Sequence, residues 1–162
     1  MKNLLVFLAC AAFLLGSLTP ALARTAFVFK VQEDGLIAVS YWPRAEKADA
    51  LVRMYGISMP SLRQPFGKEA RAFLLKYLHK GEEVEIAPVG EKDEEGLEEV
   101  LLQVEGHSLN YALVSEGLAW VNRQTCLSTY CRRWYIVEHR AVTEQKGIWS
   151  LELETPPWQW SR

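Results

Sequence analysis

The sequence predicts an α+β fold in which strands dominate. Three observations carry that expectation. Five short stretches are rich in branched and aromatic residues, one amphipathic helical stripe lies between the third and fourth of them, and two further helical patterns follow the fifth. A chain of 162 residues suits one domain. Composition and periodicity alone reach no finer class than α+β.

Residues 25–31, rich in Phe and Val, read as the first strand. Asp34-Gly35 is a hairpin turn signal, and residues 36–42 form the second strand. A polar surface loop over 43–49 leads to a third strand over 50–57 and a turn at Pro60. Residues 65–80 form the main helix, with Ala70, Phe73, Leu74, Tyr77 and Leu78 on one stripe and Gly81 as its stop. Residues 82–89 alternate, with Val84 and Ile86 on one face, and 100–104 supply the fifth strand. A short helix over 109–116 follows Ser108 and stops at Gly117; its apolar face is Leu109, Ala112 and Leu113. Residues 118–121 are extended. Tyr130, Trp134, Val137 and Ala141 then share a helical face that ends at Gly147. The tail, Pro156-Pro157-Trp158-Gln159-Trp160, is expected to pack on the body, and the six tryptophans to serve mostly in the core and the tail. No internal repeat or second-domain linker is present.

Residues 1–23 have the three parts of a secretory signal peptide: the positive Lys2, an apolar run over 4–18, and the small-residue site Ala21-Leu22-Ala23. The run is shorter than the roughly 20 residues that span a bilayer. Cleavage after Ala23 would therefore release a periplasmic or secreted domain, residues 24–162, with no stable membrane span. Removing the leader takes one lysine and no acid, leaving 17 basic and 20 acidic residues. That balance lacks the basic field that draws proteins to nucleic acid, so such binding is expected to be weak or absent. The two cysteines of the body, Cys126 and Cys131, predict a disulfide in an exported protein; zinc would need further ligands, and His139 alone does not supply them. No nucleophile-plus-base motif, phosphate-binding glycine loop or zinc spacing is present.

The stretch VRMYGISMPS (52–61) followed by QPFGKEA (64–70), then GHSLNYALVSEGLAWV (106–121), EQKGIW (144–149) and PPWQW (156–160), resembles the staphylococcal nuclease (thermonuclease-like) family. The last two motifs resemble the endings of its bacterial exported members. The resemblance covers nearly all of residues 24–162 and implies a five-stranded OB-type barrel with about three helices. It also implies hydrolysis of phosphodiester bonds with one calcium ion, held chiefly by carboxylates. One of those carboxylates should follow the hairpin Asp-Gly, and here that position is Leu36 or, in the other register, Gly35. The second metal position is Ser58 and the general-base position is Ser61. Of the two phosphate-binding arginines, Arg53 is kept and Leu97 stands at the other position. The run 91–99 around Leu97 holds six acids and one base, and its acids would repel a phosphate.

The expectation is thus an emptied nuclease site and no cofactor, in a non-catalytic interaction module whose partner is unknown and could be a protein. Losing a general base alone costs about 10² to 10⁴ in rate. Two other classes stay open: a calcium-dependent nuclease with an atypical site, and a binder of single-stranded nucleic acid or oligosaccharide. Arg53 is expected to pair with Glu33 or Asp34, and the run 91–99 to be a solvated loop.

Overall fold

The structure is a computed structural model that describes residues 22–152 and 155–160; most of the expected leader, residues 1–21, lies outside the described residues. Eight strands and three helices follow in chain order. They are β1 (Arg24–Val31), β2 (Ile37–Ser40), β3 (Ala50–Met54), β4 (Ile57–Ser58), α1 (Gly67–Tyr77), β5 (Glu83–Pro88), β6 (Glu98–Val104), β7 (His107–Ser108), α2 (Leu109–Ser115), β8 (Trp120–Val121) and α3 (Tyr130–Thr143).

Five of these strands, β1, β2, β3, β5 and β6, make the barrel. The sheet runs β3-β2-β1-β5-β6, and a parallel pairing of β3 with β6 closes it, setting Val52 against Glu98, Arg53 against Glu99 and Met54 against Val100. Closure removes the open edges of a small sheet. The alternation of β5 and β6 sends Val84, Ile86, Val100, Leu102 and Val104 inward. Leu74 and Leu78 of α1 and Leu109 and Leu113 of α2 complete the core beside Ile37 and Val52. The α+β barrel with three helices agrees with the sequence expectation.

Several boundaries differ from the expected ones, each for a local reason. The second strand ends at Ser40, not at residue 42, because Asp49 Oδ2 accepts from Ser40 Oγ and from the Tyr41 backbone N–H and draws the chain out of the sheet. Trp42 is left outside and is 73% exposed, so it serves neither core nor tail. The third strand is broken after Met54. Gly56 takes φ +68°, and a Cβ there would lie 2.7 Å from Cys126 Sγ, so the chain turns and β4 pairs with β8 instead. Main helix α1 is shorter than the 65–80 expected; its stripe buries Ala70 and Leu74, continued by Leu78 at the C-cap, while the Phe73 and Tyr77 rings meet at 5.4 Å, tilted by 55°, on its flank. Tyr130 is half exposed, and Glu138 joins the buried side of α3 in its place.

The acidic run is only partly solvated. Residues 91–96 are exposed, but Leu97 and Glu98 are buried. Glu98 sits under two cations, Arg24 and Lys92. Burial alone would raise its carboxyl, but the bonds from Arg24 and Lys92 outweigh this and hold it below the ordinary range.

Candidate functional site

The β1–β2 turn, the end of β3 and the segment after β4 meet on one side of the barrel. Leu36, Arg53, Met54, Ile57, Ser58 and Met59 line a cavity of about 210 Å³ there. A second cavity of about 200 Å³ continues past Met59, Pro60 and Ser61 to Arg71 and Leu74 of α1. A wider one of about 460 Å³ opens by Glu33, Arg63 and Trp160. All three share Asp34 and Pro157, so they form one cleft divided by the tail.

Four of the five positions singled out in the sequence come to this cleft. Leu36, Arg53 and Ser58 share the first cavity, and Ser61 lines the other two. Leu97 does not: its side chain is buried, and Asp93 fixes its backbone through Oδ1. Arg53 pairs with neither Glu33 nor Asp34. The parallel register sets Glu99 beside it, with Nη1 and Oε1 3.9 Å apart, and this corrects the expected partner. Burial raises the Glu99 carboxyl; Arg53 lowers it by less, and Asp93 raises it further. Asp34 is itself engaged, its Oδ1 accepting from the Leu36 backbone N–H to close the turn.

The loop that carries Ser61 is wound by Gln64, whose side chain is buried. Its Oε1 accepts from the Ser61 N–H at 2.8 Å, while the Gln64 backbone N–H donates to the Ser61 carbonyl at 2.9 Å. Gly67 opens α1 so close to that carbonyl that a Cβ would stand 1.9 Å from it, so no larger residue fits this entry. The remaining Gln64 donor, Nε2, reaches the Thr155 carbonyl at 2.9 Å. The tail is thereby tied beside the cleft, with Pro157 forming part of its lining. Sequence reading treats Gln64 as part of a motif and the tail as packing; it assigns neither a place at the site.

The chemistry open to this cleft follows from its donors. Calcium takes six to eight oxygens, mostly from carboxylates. The cleft offers the hydroxyls of Ser58 and Ser61, an Asp34 whose Oδ1 already closes its turn, and Glu33 at its open end, beside Leu36, Ile57 and Met59. Met59 fills space against Gly35, its Cε 2.7 Å from where a Cβ would begin. Among the described residues no three His, Cys, Asp or Glu side chains converge as metal ligands. The donor set does not fit a resident calcium ion. The floor of the cleft is largely apolar, and the guanidinium groups of Arg53, Arg63 and Arg71 stand along it.

On the far side of β3 and β4 the Cys126–Cys131 disulfide expected from the sequence is present, with Cα atoms 5.7 Å apart. It packs against Gly56 and Trp134. Tyr55 Oη accepts from the backbone N–H groups of Leu127 and Ser128, so the turn leading into the cleft is anchored to the bridged loop.

A closed mixed barrel with its cleft between the first hairpin turn and the segment after the third strand defines an OB-type domain of the nuclease-like kind. The chain belongs to the staphylococcal nuclease homologue family, which matches residues 51–151. Over 111 residues, 68% of this chain, it is similar to two rice (Oryza sativa subsp. japonica) proteins named probable staphylococcal-like nuclease CAN1 and CAN2, at 27% and 29% identity. An uncharacterized 38.1 kDa protein of Capnoides sempervirens matches at 27%. The chain spans about a third of the length of these curated relatives, covering 32%, 29% and 31% of them.

Proposed function

We propose that this nuclease-family domain is a non-catalytic interaction module, exported to the periplasm or beyond the cell. One observation carries the reading: the cleft holds Leu36, Ser58 and Ser61 where the family resemblance needs two metal carboxylates and a base. A hydroxyl without a base beside it does not activate water at neutral pH, and an aliphatic side chain ligates nothing. The one arginine that remains faces Glu99, so part of its charge is already answered. Export is supported by the leader-like residues 1–23 and by the disulfide, which persists in oxidising compartments. The first strand begins at Arg24, directly after the expected cleavage point. No helix among the described residues is long and apolar enough to cross a membrane.

A second reading is favoured by the family itself and by the names of the rice relatives: a calcium-dependent phosphodiesterase using an unfamiliar ligand set. One assay separates the two. Purified protein is incubated with plasmid and single-stranded DNA, with calcium and with chelator. The module reading expects intact DNA in both; calcium-dependent degradation that follows the protein through purification would overturn it.

A further inference from the structure

We infer that the cleft is a docking groove for a proline-containing peptide segment, and that the chain's own tail is its resident occupant. The partner would be a protein that presents an exposed Pro-Pro-aromatic stretch. This deepens the non-catalytic reading above and rests on it.

The seating of the tail supplies the argument. Pro156 has φ −67° and ψ 155°, the polyproline conformation, and a single 3-10 turn over Pro157–Gln159 follows. Two prolines in a row have little freedom to lose and no N–H to satisfy, so such a segment docks at small entropic cost. Among the described residues its polar contact with the groove is a carbonyl, Thr155 O, met by the donor Gln64 Nε2. That donor is held in place because the same side chain binds the Ser61 N–H through its oxygen. Pro157, half-buried, lines the groove together with the apolar Met59 and Leu74. Trp158 and Trp160, in contrast, are 46% and 38% exposed, so the aromatic end is only partly used in cis. The groove therefore recognises carbonyl-then-proline, and leaves two half-bare indoles beside it as further binding surface.

A segment tethered to its site has an effective concentration in the millimolar range. A partner peptide must displace it, which makes the intact tail a competitor that sets the affinity threshold. Loosening the tail should then raise the apparent affinity for a free peptide in proportion to the fraction of open groove.

The experiment uses the full chain and a dye-labelled peptide Thr-Pro-Pro-Trp-Gln-Trp, followed by fluorescence anisotropy. The wild type is expected to bind weakly, and Pro157→Asp at least about tenfold more tightly, because its own tail no longer seats. Adding Gln64→Glu to that variant should remove most of the gain. Glutamate keeps the acceptor for the Ser61 N–H, so the loop is spared. It replaces the donor to the peptide carbonyl with a second acceptor, so the peptide is no longer held. A folded Pro157→Asp chain with no saturable binding overturns the groove. So does equal binding with and without Gln64→Glu. A wild type that dimerises on ultracentrifugation while Pro157→Asp stays monomeric, with no peptide binding in either, would replace the partner with a second copy exchanging tails. The DNA assay above tests the non-catalytic reading separately: cleavage there sinks that reading whatever the peptide does, and a failed titration with intact DNA sinks only the groove.

Discussion

The two sides of β3 and β4 differ sharply. On the side facing α2 and α3, the buried amide and phenol are matched, although the indole N–H groups of Trp120 and Trp149 are buried without a partner. Asn110 is fully buried and makes three bonds: Oδ1 accepts from the Leu102 N–H, and Nδ2 donates to the carbonyls of Tyr55 and Val100. Tyr55 Oη, Gly56 and the disulfide lock together a residue later. On the cleft side, a few residues away, Arg53 has one distant partner and Ser58, Leu36 and Met59 line open space. The barrel and the site thus make separate demands on the sequence. The first side holds the chain's path, where any error leaves buried groups unpaired. The second side is held by that path and is free to change its chemistry at little cost in stability.

That contrast can be broken from the packed side first. Asn110→Ala should be the most damaging single change, lowering unfolding free energy by about 3 kcal/mol, since the buried Leu102 N–H and Tyr55 carbonyl lose their partner and the Val100 carbonyl keeps only the Tyr55 N–H. Urea unfolding measures it, and a loss under about 1 kcal/mol would remove Asn110 from the account. Cys126→Ser should cost about 2 kcal/mol, the low end for a bridge that closes so short a loop. A melting temperature indifferent to reductant would show that the bridge contributes nothing.

Two buried glutamates on the packed body give opposite pH signatures. Burial raises the carboxyl of Glu138; the bonds from the Val121 N–H and Arg123 offset this only in part. A raised folded value means that the contribution is full below the ordinary carboxylate range and is lost as pH climbs through the raised one. The melting-temperature advantage of wild type over Glu138→Gln should therefore shrink as pH rises above the ordinary carboxylate range. Glu98 is held low, so its contribution is present above the ordinary value and is lost as pH falls through the lowered one. Its advantage over Glu98→Gln should shrink as pH falls through and below the ordinary carboxylate range. Parallel curves for both pairs would contradict the assignment.

The smallest effect belongs to the cleft. Arg53→Ala should change stability by less than about 0.5 kcal/mol, because the pair with Glu99 is long and half exposed. A larger loss would mean that the cleft side is held by its own charge after all.

Much of the fold is legible in the chain. Alternating burial in β5 and β6, the α1 stripe and the cysteine pair are local patterns, and the order of motifs points to the barrel. The site is half legible. Which residue types replace the expected carboxylates can be read directly, and Leu36, Arg53 and Ser58 do converge. Three things cannot be read. Glu99, not Glu33 or Asp34, faces Arg53, because a parallel pairing between strands distant in the chain sets that register. Glu98 is buried under two cations despite standing in an acidic run, because β6 begins there. Gln64 ties down Thr155, a bond between chain segments 91 residues apart.

Residue order alone supplied the repertoire: strands by their period of two, the helix by its stripe, a covalent bridge by two cysteines, and the residue types at the positions where the resemblance expects carboxylates. The pairings belong to the packed barrel. Its closure chose the partner of Arg53, the Gly56 turn split the third strand to make room for the disulfide, and the Gln64 clip brought the tail to the edge of the cleft. Local patterns report on neighbours in the chain. Those three outcomes depend on distances between segments far apart in it, and only tertiary packing sets such distances.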